Sequence, residues 1–195
     1  MKYLGKITLG VALIAMSAVS FTSCKGKQKK QQAPKGEVEV IVPCSGPEYF
    51  SDKKNFRANS VGESMDQATA KKKAMSNAKA DLAGFINTTI KATVDNYVNS
   101  REFNNKEQVE ERYEALGREV INQKLSGVKV ICEKLMKTPE NKYKCYIAME
   151  LGADDLVEAI NERLTKDEAL RVDYDYEKFK NTFDAEMEKL ENKGY

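Results

Sequence analysis

Residues 62–83 read GESMDQATAKKKAMSNAKADLA. Within them Ala70, Ala74, Ala78 and Leu82 fall four apart, so they line one face of a helix, and small side chains at that step let a helix lie close against a sheet. Ser64 followed by Gln67 has the form of a capping box and predicts a helix start at Ser64. Met75, Phe85, Ile86, Ile90, Val94 and Tyr97 carry the same face onward in steps of three and four, to about Ser100. Gly84 and the β-branched Ile86, Thr88, Thr89, Ile90, Thr93 and Val94 lower intrinsic helicity, which predicts a kink or fray after Gly84.

Such a helix needs a sheet to cover. The best hairpin in the chain is VKVICEKLM (128–136), the turn TPEN (138–141) and KYKCYIAMEL (142–151). A four-residue loop sets Lys137 opposite Lys142 and Cys132 opposite Ile147, and puts Val128, Val130 and Cys132 on the core face with Cys145, Ile147 and Met149. EVEVIV (37–42) alternates well enough for a short edge strand, and PCSGP (43–47) is turn chemistry. Hairpin, first strand and long helix together predict a three-sided core. Beyond the anchor discussed below, Cys44, Cys132 and Cys145 remain; an odd count argues against a disulfide framework, and Cys132 and Cys145 are expected as buried, unpaired thiols.

Three further helices follow from periodicity. Val109, Tyr113, Leu116, Val120 and Ile121 share a face that Ser126-Gly127 ends, with Gly127 as the residue just past the helix. Asp154 or Asp155 can cap a helix using Leu156, Val157, Ile160 and Leu164, and Thr165 with Glu168 opens a last one reaching Leu190. Its stripe of Tyr176, Phe179, Phe183, Met187 and Leu190 needs a surface, either its own domain or a second copy or envelope partner. The fold class expected is α+β, a long helix packed on a small antiparallel sheet with additional amphipathic helices.

The N-terminal segment MKYLGKITLGVALIAMSAVSFTSC puts Lys2 and Lys6 before an apolar run of about 15 residues, short of the ~20 that span a bilayer. It reads as a secretory signal. Phe21-Thr22-Ser23-Cys24 resembles a bacterial lipobox, in which the signal is cut before a cysteine that then carries acyl chains such as palmitate; the strict pattern prefers Leu where Phe21 stands. That resemblance implies lipidation at Cys24, and Lys25 in the next position implies sorting to the outer membrane, facing the periplasm. Loss of Lys2 and Lys6 cancels the formal net charge of +2 and leaves a neutral mature chain. Lys25, Lys27, Lys29, Lys30 and Lys35 stand in the tether without an acid, so the body is acidic by the same amount. Basic residues beside an anchor either attract anionic head groups, at up to ~1 kcal/mol each, or simply keep a spacer solvated. The organisation expected is a signal at 1–23, a basic tether at 24–36, an α+β domain at 37–164 and a C-terminal amphipathic helix region at 165–195.

The small-residue helix after Gly-x-Ser, with Phe56-Arg57-Ala58 before it and Leu125-Ser126-Gly127-Val128-Lys129-Val130 before the hairpin, resembles the lipoprotein-20-like family of small Gram-negative envelope proteins, which also includes the N-terminal domain of a flagellar assembly protein. The resemblance covers about Phe56 to Leu151 and implies a long helix on a small antiparallel sheet. It brings no catalytic residues, and nothing in this chain is specific to the flagellar branch.

Chemistry in the sequence is thin. The chain has 195 residues, 32% of them charged, and no histidine, which removes the commonest general base, the Ser-His and Cys-His pairs and most zinc and haem ligand sets. There is no phosphate loop, CxxC or HExxH, and Asp173-x-Asp175 lacks the glycine and spacing of a calcium loop. Asp154 and Asp155 have a reason to exist as capping acids, Asn87-Thr88-Thr89 is a chance sequon, Lys71, Lys72 and Lys73 are a solvated face or a docking patch, and Tyr97, Tyr113, Tyr143 and Tyr146 are core or rim aromatics sooner than a ligand platform. No catalytic residue, cofactor or metal site is assigned, and nucleic-acid binding is disfavoured by export and by the confinement of basic charge to the tether. The expected function is a non-enzymatic, lipid-anchored interaction or scaffold module of the outer membrane, with the membrane as partner through Cys24 and a protein partner or second copy through the C-terminal helix. The alternative is a periplasmic ligand-binding or hydrolytic lipoprotein, which would need a concave pocket with converging carboxylates.

Overall fold

The computed structural model describes residues 36, 38, 40–103 and 105–194. Cys24, the signal and nearly all of the tether lie outside the described residues. Residues 41–195 form one compact unit that includes the C-terminal helix. Its elements are β1 (Asn55–Ser64), α1 (Gln67–Asn99), α2 (Lys106–Lys124), β2 (Lys129–Lys137), β3 (Tyr143–Gly152), α3 (Ala153–Lys166) and α4 (Tyr176–Lys193). The strands form one antiparallel sheet in the order β1-β3-β2. The architecture is therefore α+β, with α1 laid across the sheet.

The partner strand of the hairpin is Asn55–Ser64, not the alternating stretch at 37–42. Phe56, Ala58 and Gly62 face α1 from β1, and all three are buried. Ala58, Ser60 and Gly62 on that face carry little strand signal. By contrast Val38, Val40 and Ile41 are 86%, 78% and 88% exposed and unpaired.

Ser64 closes β1 and does not cap α1; Asp66 does, accepting from the Thr69 N–H at 2.7 Å. The helix continues through Gly84 as one element of 33 residues. Its β-branched half is held by burial of Ile86, Ile90, Val94, Tyr97 and Val98 and by hydroxyl bonds from Thr88 to the Gly84 carbonyl and Thr93 to the Thr89 carbonyl. Gly62 is where helix and sheet meet most closely. A Cβ there would lie 2.2 Å from the Ala70 carbonyl oxygen and 2.5 Å from the Ala74 nitrogen, both backbone atoms that cannot step aside.

The hairpin loop is one residue longer than expected, with Lys137 opposite Tyr143 and the Thr138 N–H bonded to the Lys142 carbonyl across a left-handed Asn141. A bulge between Val130 and Cys132 then reverses side-chain parity. Val130 keeps the core-side partner Met149, whereas Cys132 pairs with Ala148 on the opposite face. There Cys132 is bridged to Cys44, so the expectation of a free Cys132 is overturned, while Cys145 is a buried free thiol. Gly127 sits in a short 3-10 turn, Leu125–Gly127, instead of ending α2 in the left-handed conformation.

The C-terminal helix begins at Tyr176, not Thr165. Thr165 belongs to α3, and Asp175 caps α4 by accepting from the Lys178 N–H at 3.1 Å. Phe179, Phe183, Met187 and Leu190 are all buried in the body of the same chain. Phe183 meets the Phe56 ring at 6.2 Å, and Tyr97, Tyr113, Tyr174 and Phe179 form a cluster with centroids 5.4 to 6.3 Å apart. The Tyr97 hydroxyl accepts from the Asp175 N–H at 2.8 Å and from Arg101 at 2.9 Å, which fixes the entry to α4 against the end of α1.

Two stability measurements follow from this packing. Gly62→Ala must push α1 off the sheet, so its free energy of unfolding in denaturant should fall by about 3 kcal/mol or more, at the upper end of overpacking costs. The Cys44–Cys132 bridge closes a separation of 88 residues, worth about 4 to 5 kcal/mol on the chain-entropy argument. Reductant should lower the melting temperature of the wild type to that of Cys44→Ser and leave the variant unchanged; a wild type indifferent to reductant would exclude the bridge.

Candidate functional site

Three surfaces of the body stand out once the core is accounted for. The first is β2. A helix is about 10 Å across and strands lie about 4.8 Å apart, so α1 covers two strands. Those are β1 and β3. The third strand overhangs, leaving Val130, Ile131, Leu135 and Met136 between 37% and 46% exposed. Of the expected lysine patch, Lys71 bridges Glu133 on β2 at 2.9 Å and Lys73 donates to the Glu63 carbonyl at 3.2 Å, so both latch α1 to the sheet. Beneath them burial pushes the Cys145 thiol up, with the Glu133 charge adding to it, and keeps it protonated.

The sheet's two edges differ. On β1 the Arg57 N–H donates to the Ser51 hydroxyl at 2.9 Å, and that hydroxyl donates to the Arg57 carbonyl at 3.0 Å, so a side chain occupies the outward backbone groups. The Arg57 guanidinium bridges Asp52 and Glu150, each at 2.7 Å, and binds the Phe50 carbonyl, which fastens the 50–52 segment along that edge. Among the described residues no hydrogen bond from outside the sheet reaches the β2 backbone.

The second surface is a groove of about 540 Å³ between α1 and α4, floored by Gly84, Phe85, Thr88 and Leu190. Its rim is of mixed charge, and Glu186 is already engaged by Asn96 at 2.9 Å and Lys189 at 2.6 Å. The third is a set of carboxylates, Asp95 on α1 with Glu110 and Glu114 on α2, whose oxygens lie within 4.8 Å of one another. Among the described residues these have the spacing to hold a cation. They already face a protein one, since Lys91 pairs with Glu114 at 3.2 Å and is itself raised by that contact and by Asp95 and Glu110. The cluster lies apart from the α1–α4 groove; Glu114 and Lys91 line a separate depression of about 440 Å³ with Asn87, Arg118 and Asn122.

Of the other residues weighed from sequence, Asp154 meets Lys180 at 3.4 Å in the first turn of α3, Asp175 is the α4 cap, Tyr97 and Tyr113 are core, and Tyr143 and Tyr146 are half-buried. Neither the open edge of β2 nor the carboxylate cluster was legible, because each depends on how strands and helices are laid side by side. The chain matches no family model, no curated protein and no solved structure.

Desolvation, followed by the neighbouring Asp95 charge, holds Glu110 above the usual carboxylate range. With the native value raised, the ionised form costs stability at neutral pH, and the cost fades as pH falls to the ordinary glutamate value. Glu110→Gln should therefore melt higher than wild type at neutral pH, and the two melting curves should coincide by about pH 4; a gain that persisted in acid would mean the cluster is not the cause.

Proposed function

We propose that this chain is a lipid-anchored, non-enzymatic interaction module of the outer membrane, facing the periplasm, of the kind its resemblance to lipoprotein-20-like envelope proteins implies. The observation that carries the reading is the FTSC box ending at Cys24, with an apolar signal before it and an acid-free lysine tether after it. Two or three acyl chains on Cys24 hold a protein at a membrane firmly, where a single chain does so only reversibly. The Cys44–Cys132 bridge supports the same compartment, because disulfides persist outside the reducing cytosol. The overhanging β2 strand, with apolar side chains on display and unused backbone groups along one side, supports an interaction role. The α1–α4 groove favours one second reading, a lipoprotein that holds a small apolar ligand.

Replacing Cys24 by Ser tests the anchor. The variant should lose acyl label and leave the outer-membrane fraction, accumulating as precursor or soluble protein. Retention of both label and membrane association would show that Cys24 is not the lipidated residue.

A further inference from the structure

The open edge of β2 can be set against the sequence at 37–42 in charge and in periodicity. From the edge, Lys129 and Lys134 project to the face that carries Cys132, as their partners Glu150 and Tyr146 flank Ala148 on β3. Val130 and Leu135 project to the other face with Met149 and Cys145. None of Lys129, Lys134 and Lys137 is in an ion pair among the described residues, and Glu133, the strand's acid, is taken by Lys71. Lys129 and Lys134 thus stand on one face with Met136, and Val130 and Leu135 on the other with Lys137 and the Lys71-paired Glu133.

The sequence EVEVIV at 37–42 alternates as well, with Glu37, Glu39 and Ile41 falling on one side of an extended chain and Val38, Val40 and Val42 on the other. Val38, Val40 and Ile41 are exposed and bonded to nothing among the described residues, an unusual state for three apolar residues of high strand propensity.

We propose that 37–42 of one copy adds as a fourth strand to β2 of a second copy, reciprocally, giving a closed two-fold dimer. Its acids then lie beside Lys129 and Lys134, its valines beside Val130 and Leu135, and its main chain takes the free N–H and C=O groups of β2. Direct pairing of two β2 edges is disfavoured, because it would bring the lysines of one edge against those of the other. The sulfur of Cys44 lies 3.8 Å from the Tyr146 carbonyl on the central strand, so the bridge seats that residue over the face of the sheet and not in line with its open edge. The residues leading into Cys44 leave that position exposed, free to reach a neighbour. Reciprocal exchange occupies the β2 edge of both copies, and its two-fold symmetry closes the assembly at two.

The test measures protein mass by light scattering over a concentration series on the full-length chain expressed with its own signal and purified in detergent. Cys24→Ser protein is run in parallel, so that sharing a micelle is not mistaken for pairing. Both should be dimers, with amides of β2 and of 38–42 gaining protection from hydrogen exchange as the dimer forms. Val38→Pro with Val40→Pro removes two main-chain donors from exposed positions and should yield a monomer whose melting temperature equals that of the wild type diluted until it dissociates. Lys129→Glu with Lys134→Glu should weaken dimerisation roughly tenfold or more, and adding Glu37→Lys with Glu39→Lys should restore it. A wild type that stays monomeric across the series overturns the proposal, whether β2 then pairs with its own chain or with an acidic strand of another protein. So does a dimer that survives the double proline variant, or a charge swap that restores nothing.

Discussion

Close approach of α1 to β1 at Gly62 is the constraint on which the rest of the structure depends. Backbone meets backbone there with no room for a methyl group, so the helix axis is set by main-chain atoms before any large side chain takes part. Ala70, Ala74 and Ala78 extend the same contact along the helix, all fully buried. With the first half of α1 so fixed, its second half projects past the sheet, and the helices assemble around that projection. α2 and α4 both pack on α1, and α3 packs on α2.

The far end is held by different means. Beyond Gly84, Gly117 of α2 lets Ile90 pack closely, and further along Tyr97, Tyr113, Tyr174 and Phe179 interlock, with Arg101 over Tyr97 at 5.5 Å and Phe103 at 5.7 Å. Offset aromatic pairs contribute about 0.5 to 1.5 kcal/mol each beyond the area they bury. Burial is the chief cause that pushes Tyr113 and Tyr174 upward in pKa, so both phenols stay neutral. Close contact fixes position at one end and interlocking shape fixes it at the other, which is how a helix rich in threonine stays whole.

Long-period features were legible in the sequence. The buried face of α1, the hairpin and the apolar stripe of α4 are each written by residues three, four or two apart, and each is present. What escaped depends on features without a period. β1 was obscured because the helix above it demands Ala58, Ser60 and Gly62 where a strand ordinarily shows large side chains. The partner of Cys132 was obscured because one bulged residue, Ile131, turns the cysteine to the other face, and because Cys44 lies 88 residues away. Exposure of β2 was hidden by its own apolar alternation, which reads as burial until the width of one helix is set against three strands. Of the site read from sequence, Cys24 lies outside the described residues, so its reading rests on the signal alone.

The Cys44–Cys132 bridge also fixes the mechanics of the chain. A pull arriving along the backbone from before Cys44 would, without it, pass through residues 45–54 and peel β1 from the sheet, starting next to its junction with β3. With the bridge in place the load divides at Cys44 and enters β2 through Cys132, at the opposite edge of the same sheet. The stretch between Cys44 and β1 then carries little tension. The seam at Gly62, which has no room for a methyl group, is thereby kept off the line of force, and the covalent link acts as its strain relief.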